Sequence, residues 1–336
     1  KKGHEISVYT LTTEVDSRLI LRGNNITIYV NPLRKNGKIK ALNFFNKEAN
    51  HIHESIKLDS NLPDVLHAHW TYEYAKGVLK FKNKIPVIIT IRDWAPKILK
   101  LNFNYYRFAR YIMDFRLFRT SGVDFIANSG YIKEKVKKRW GLDIDVVPNG
   151  VNNRFLEGGV HDSVSEKYIV SVSNNISKAK NIENLLIAFQ KIKRDNYNVE
   201  LNLVGKQFYD TIPQVRKWKE SGLLQNVNLI GEVDHVKLKD EYDKAFLLVH
   251  PSLEESFGNI LIEAMARGLP VIAGKYSGAV PFVLDHGNVG ALCDVRNSDE
   301  IFDEILKLIN NKSKIKSMSL KGIKHVKEHY SQEQCC

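Results

Sequence analysis

Glu255 and Glu263 stand eight residues apart in the stretch EESFGNILIEAMARGLPVIAG (254 to 274), with a Phe-Gly pair between them. Two acids at that spacing become chemically interesting when a helix starts between them. Ile260, Leu261, Ala264 and Met265 give residues 260 to 267 the apolar stripe of a helix, and Gly268 and Pro270 stop it. Gly258, Asn259 and Ile260 then offer backbone N–H groups at a helix start, where partial positive charge gathers and anions bind. Glu255, on the loop just before that tip, reaches whatever carries the anion. Glu263, about one turn into the helix, can accept two hydrogen bonds from a diol such as ribose. One carboxylate for a sugar, amides for a diphosphate and one carboxylate for a ribose fit a nucleotide-sugar. Two merely solvated glutamates are the plainer alternative, and the position of the segment argues against it: it follows AFLLVHPS, a strand whose carboxyl end is Pro251-Ser252.

The elements that must hold these residues alternate strand, helix, strand. Apolar runs of strand length are EISVYT, ITIYV (26 to 30), DVLHAH (64 to 69), VIITI (87 to 91), DFIANS (124 to 129) and IDVVPNG (144 to 150), separated by helical patterns such as YEYAKGVLKFKN and GYIKEKVKKRW. The polar stretch NNRFLEGGVHDSVSEK (152 to 167) reads as a linker, after which YIVSVS, VELNLVG, NVNLIG, AFLLVHPS, LPVIAG and VGALCD restart the pattern. Continuous apolar strands alternating with helices predict parallel sheets covered on both faces. The expected fold is α/β with two doubly wound domains, 1–150 and 165–330, joined by a linker at 151–164. Ligands are expected at the carboxyl ends of the strands, in the cleft between the domains.

Composition narrows the function classes. The chain has 336 residues and no apolar run as long as the ~18 to 20 residues of a membrane span. Its opening, KKGHEISVYT, reads as a strand rather than a signal peptide. Cys293, Cys335 and Cys336 cannot build a disulfide framework, and a cytoplasmic setting is expected. Residues 1–150 hold 26 Lys and Arg against 14 Asp and Glu, while residues 151–336 hold 24 of each. The whole basic excess lies in the first half, which should meet something anionic.

At this level the chain resembles the retaining GT-B glycosyltransferases of family 4, the glycosyl group 1 type. PSLEESFGNILIEAMARGLPVIA is similar to the donor-site signature of that family, and GHEISVYT, PDVLHAHW and GVDFIANSGYIKEKVKKRWGLDIDVVPNGV follow the order of its first domain. GHEISVYT resembles the family's second strand, so the first strand is expected to be missing, which leaves the activity of so short a chain open. The resemblance implies that Glu255 binds the donor sugar's hydroxyls and Glu263 the ribose. It also implies that the turn Ser256-Phe257-Gly258 with Asn259 and Ile260 binds the diphosphate. The family's diphosphate-binding Arg-x4-Lys falls on SNNISKAKNIENLLIAF (173 to 189): Lys180 takes the lysine position and Asn175 the arginine position. Lys178 either supplies the missing charge or lies on a solvated face. Gly205 ends a strand facing the donor. Ser277-Gly278 matches the family's small turn, with Phe282 in place of a glutamate.

On the acceptor side the family's Thr-x-His-Asp turn corresponds to TIRDWAP, so Arg92 replaces the histidine and Asp93 follows. An arginine cannot act as a general base; Arg92 is expected to stabilise phosphate charge or to orient Asp93, unless the pair is only a structural turn. Asn149 and Gly150, at the end of the last strand of the first domain, are expected on the acceptor side. His67 and His69 share a strand face without a third ligand, and Asp143-Ile144-Asp145 lacks the surroundings of a metal motif, so no metal and no cofactor are expected. The run LNFNYYRFARYIMDFRLFRTS (101 to 121) mixes aromatics with four arginines, and KEKVKKRW adds lysines. Either these belong to buried helices with snorkelling arginines, or they dock on an anionic inner membrane leaflet.

The resemblance therefore implies transfer of a sugar from a UDP- or GDP-sugar to a glycan or lipid-linked acceptor, in surface polysaccharide or glycolipid synthesis. The alternatives are a catalytically impaired donor-binding homologue or fragment, and a GT-B nucleotide-sugar epimerase. Nucleic-acid binding would explain the charge but not the paired glutamates.

Overall fold

The computed structural model describes residues 3–59, 61–157, 168–195 and 197–335. It contains two compact units. The first comprises the described residues up to Asn128 together with Ile132–Val146; the second comprises Ser129–Tyr131 and the described residues from Val147 onward.

The first unit begins with β1 (Ile6–Thr12), β2 (Leu19–Gly23) and β3 (Ile26–Pro32), in the order β1-β3-β2. β1 pairs in parallel with β3, and β2 runs antiparallel to it. β2 departs from the expected all-parallel arrangement. Every residue of LILRG is exposed, as on an outer strand, and Asn25 at φ 58 turns the tight hairpin into β3. Helices α1 (Gly37–Leu42) and α2 (Asn46–Lys57) follow, then β4 (Leu66–His69), α3 (Glu73–Val78), β5 (Val87–Ile91), α4 (Ala95–Leu101) and α5 (Tyr105–Leu117). β6 (Asp124–Ala127), α6 (Gly130–Trp140) and β7 (Asp145–Val146) complete a four-stranded parallel sheet ordered β4-β5-β6-β7. Ile52 and Ile56 of α2, Ala75 and Val78 of α3, and Val87 and Ile89 of β5 form the core beneath it. A groove of about 810 Å³ runs between β1 and the edge strand β4, lined by Ile6, Tyr9, Asp59, Leu66 and His67.

In the second unit, α7 (Asn153–Leu156) occupies part of the expected linker; residues 158–167 of that linker lie outside the described residues, as does Cys336. The elements then run β8 (Tyr168–Val172), α8 (Ile182–Arg194), β9 (Glu200–Val204), α9 (Pro213–Glu220), β10 (Val227–Gly231) and α10 (His235–Lys244). β11 (Leu247–His250), α11 (Asn259–Ala266), β12 (Val271–Gly274), α12 (Val280–Val283), β13 (Ala291–Cys293), α13 (Ser298–Ile309) and α14 (Lys312–His329) complete it. All six strands are parallel, in the order β10-β9-β8-β11-β12-β13. Alternation puts Ile169, Leu201, Leu203 and Leu247 on one face, under Leu185, Phe189 and Ile305 of α8 and α13. Val170, Val204, Leu248 and Val271 face the other way, onto Leu261 and Met265 of α11 and Val326 of α14. A sheet buried on both sides explains the uninterrupted apolar strands. The strand order reverses between β8 and β11, and a doubly wound sheet opens a crevice at that point, beyond the carboxyl ends.

Among the described residues, no helix is long and apolar enough to cross a membrane.

Candidate functional site

At the reversal point in the second unit, the loop after β8 and the loop after β11 are tied together. Leu253 donates its backbone N–H to Ala179 O at 2.7 Å, and Asn181 Nδ2 donates to Pro251 O at 3.1 Å. The tie brings Lys180 to Glu255: Nζ lies 2.6 Å from Oε1. The same oxygen lies 3.0 Å from Nε2 of His250, the buried last residue of β11. Burial alone would push the Glu255 carboxyl up. The His250 hydrogen bond and the Lys180 charge outweigh it and hold the group well below the usual carboxylate range. Glu255 is therefore ionised at neutral pH. His250 Nδ1 is buried and makes no hydrogen bond.

The backbone of Glu255 is fixed as well. Ala279 N–H donates to its carbonyl at 2.8 Å, and Gly278, at φ 64, would place a Cβ only 2.2 Å from that oxygen. Only glycine fits there. Phe282 lies against Gly130, whose added Cβ would be 3.1 Å from the ring.

The helix after this loop starts one residue earlier than its apolar stripe suggests, at Asn259. Gly258 is its N-cap, at φ 100, and no side chain caps the first turn. The tip therefore keeps amides available for an anion. The side chain of Asn259 is exposed and accepts from Asn149 Nδ2 at 2.8 Å. Phe257 is buried edge-on against Tyr330, so it supports the turn from below and contributes only backbone to the tip. Ser256 is likewise held by its backbone, with its carbonyl accepting from Ser129 Oγ at 2.6 Å. Ile260 packs on the core. Within α11, Glu263 accepts from Tyr242 Oη at 3.3 Å, and burial raises its carboxyl pKa.

Asn175 and Lys178 are both exposed on the loop after β8, and the Asn175 carbonyl accepts from Ser173 Oγ at 2.8 Å. Gly205 directly follows β9 at φ 146, where a Cβ would lie 1.7 Å from the Ser173 carbonyl oxygen. The close approach of these two strand ends dictates glycine there. Sequence reasoning missed His250 and the Tyr131–Glu254 pair, in which Tyr131 Oη donates to Glu254 Oε1 at 2.7 Å. Strand-end position was the available signal for His250; Tyr131 lies 123 residues from Glu254 and gave none.

Asn149 and Gly150, expected on the acceptor side at the end of the first domain, instead belong to the second unit, with Asn149 beside the start of α11 and Gly150 against Gln332 and Cys335. β7 ends at Val146, and Pro148 beyond it has no N–H to extend a ladder.

Arg92 and Asp93 follow β5 in the first unit. Arg92 Nη1 donates to His69 Nδ1 at 3.1 Å, and burial lowers the His69 pKa to about 4, helped by His67 and Arg92. That imidazole is neutral at physiological pH and acts as an acceptor. His67 Nε2 meets Thr90 Oγ1 at 2.6 Å. Burial raises the Asp93 carboxyl, opposed by a 2.7 Å hydrogen bond from Tyr72 Oη and by the Arg110 charge. Asp143 pairs with Lys133 and Lys137. No group of three or more His, Cys, Asp and Glu among the described residues could hold a metal ion.

The uncapped start of α11 lies between two partly buried carboxylates, at the reversal point of a doubly wound sheet, an arrangement that suits an anion. The family model described as "Glycosyl transferases group 1" matches residues 157–325, and the model "Glycosyltransferase Family 4" matches residues 1–155. The chain belongs to the group 1 glycosyltransferases, whose fold is GT-B. It is 27% identical over 280 residues to an uncharacterized glycosyltransferase of Methanocaldococcus jannaschii, covering 83% of this chain and 74% of that one. It is 29% identical over 184 residues to the capsular polysaccharide biosynthesis glycosyltransferase CapM of Staphylococcus aureus, covering 54% of this chain but only 47% of CapM. Sucrose-phosphate synthase from Thermosynechococcus elongatus superposes with a TM-score of 0.80 at 18% identity, over 99% of this chain and 86% of that one; this likeness is one of fold.

Proposed function

We propose that the protein transfers a sugar, with retention of configuration, from a nucleoside diphosphate sugar to a glycan or lipid-linked acceptor in surface polysaccharide or glycolipid synthesis. One observation carries the reading: Glu255 is held ionised by His250 and Lys180 directly before the uncapped tip of α11, with Glu263 one turn behind. The family membership and the capsular polysaccharide relative support the same reading.

In this proposal Glu255 receives hydroxyls of the donor sugar, the amides of Asn259 and Ile260 take the diphosphate, and Glu263 takes the ribose. Lys180, now paired with Glu255, shifts part of its charge to the diphosphate. Arg92 and Asp93 are assigned to the acceptor. The bond between the anomeric carbon and the diphosphate oxygen breaks, and the acceptor oxygen bonds the same carbon on the same face. The acceptor proton passes to the departing diphosphate, so no protein nucleophile is needed. The rate then comes from positioning and from stabilising the charge that develops on the leaving group. Neither a metal nor a cofactor has a role in the scheme.

Isothermal titration against UDP- and GDP-sugars tests it. Glu263→Ala should weaken nucleotide binding by roughly 10- to 100-fold, the loss of about 1.5–3 kcal/mol from hydrogen bonds to a charged group. Glu255→Ala should chiefly slow transfer. Equal nucleotide affinity of wild type and Glu263→Ala would remove the ribose assignment. The exposed, uncharged Asn175 favours one second reading, donor binding without transfer; wild-type protein that binds the donor but neither transfers nor hydrolyses it would establish that reading instead.

A further inference from the structure

We propose that the corner made by the α4–α5 turn and α1 docks on an anionic lipid bilayer. The chain has no Asp or Glu from Ser17 to Lys47, and none from Trp94 to Met113. These two stretches meet in the first unit, where α1 packs on α5: Gly37 lies against Tyr106, and Lys40 Nζ sits 5.7 Å from the centre of the same ring.

Three of the four arginines that made the 101–121 run look membrane-active are engaged within the unit. Arg110 is partly buried, 3.0 Å from Glu73 and 4.3 Å from the centre of the Tyr72 ring. Arg116 and Arg119 lie over Phe44 and Phe115. Arg34 is bound to Glu48. The aromatics behave the other way. Phe103 and Tyr105 are 72% and 74% exposed, and Phe108 is exposed beside Phe103 with ring centres 6.4 Å apart. On α1, Ile39 and Leu42 share the outward face at helical spacing, with Leu42 80% exposed. Lys38 and Lys100 are exposed on the same elements.

Exposed apolar residues scattered singly are ordinary, but five on two adjoining segments that carry no Asp or Glu are not. Asn104 caps α5, accepting from Arg107 N at 2.9 Å, next to the exposed Phe103 and Tyr105. Aromatic rings on a positively charged rim suit the headgroup layer of a bilayer, where the rings enter the boundary and the lysines meet phosphates. A water-soluble protein partner would satisfy the apolar residues but leaves the one-signed rim unexplained.

The proposal stands apart from the donor-site reading, and its test uses neither donor nor acceptor. Whole protein is sedimented with phosphatidylcholine vesicles, with and without phosphatidylglycerol, at low and high salt. Wild type should bind the mixed vesicles, bind plain phosphatidylcholine far less, and come off with salt. Lys38→Glu with Lys100→Glu should weaken binding by at least about fivefold per lysine. Phe103→Ser with Tyr105→Ser should lose it at unchanged melting temperature. Absence of vesicle binding, equal binding to both vesicle types, or variants that bind like wild type would each overturn the proposal. A self-associating wild type that both double variants make monomeric, with no lipid binding, would do so in favour of a second copy of the chain.

Discussion

In the proposed donor site, His250 acts through its contact with Glu255. A buried imidazole 3.0 Å from a carboxylate fixes the orientation of that carboxylate, and Lys180 bonds the same oxygen, Oε1. Lys180 is 22% exposed and can follow the diphosphate, whereas His250, 2% exposed on β11, cannot move. The two partners of Glu255 therefore differ in kind, one mobile and one fixed. His250→Ala should lower kcat for transfer about tenfold, the worth of about 1.4 kcal/mol of orientation. Nucleotide affinity should stay within a factor of two or so, since the imidazole does not contact the amides or Glu263. His250→Gln, which restores a donor, should recover part of the rate. A mainly structural role would show instead as a matched fall in stability and nucleotide binding in both variants.

Elements were legible where burial is two-sided. YIVSVS, VELNLVG and LPVIAG read as strands because both faces of the six-stranded sheet are covered, and GYIKEKVKKRW matches α6 residue for residue. β2 was missed because a fully exposed outer strand carries no such pattern. The paired glutamates and the glycine between them were readable because all lie within one loop and helix. Their polar partners were harder: Lys180 reaches Glu255 from 75 residues away, and His250 reads as one more residue of an apolar strand.

The burial of polar groups in α5 was equally invisible, and it has a measurable consequence. Asp114 is buried on the inner face of that helix, and burial pushes its carboxyl from 3.8 up to about 7, with the Asp93 charge adding to the rise. The folded protein thus keeps a proton that the unfolded chain gives up between those values. Stability should fall as pH climbs through that window, by on the order of 4 kcal/mol at most. Asp114→Asn cannot lose this proton. Its melting temperature should therefore exceed the wild type's above neutrality, with the gap closing toward pH 4. Curves that run parallel across the range would count against a raised Asp114.

At the scale of the whole molecule, charge divides the chain as function would. The second half, which carries Glu255, Glu263 and the α11 tip, holds 24 basic and 24 acidic residues; the first half carries the entire net charge of +12. In the proposed scheme a donor diphosphate is gripped at short range by amides and one lysine in a partly buried site, where salt screens weakly. An anionic acceptor, such as a lipid-linked phosphate, would instead be gathered by the broad positive field of the first half, which acts over the distances that salt does screen. The two substrates should consequently respond differently to ionic strength. Raising salt from about 50 to 300 mM, which shortens the screening length from roughly 14 to 6 Å, should raise KM for an anionic acceptor several-fold while changing donor KM by less than about twofold. A water-soluble anionic acceptor analogue separates this effect from any attachment to lipid. Equal salt responses for both substrates would mean that the basic half does not gather the acceptor, and its charge would need another anionic partner.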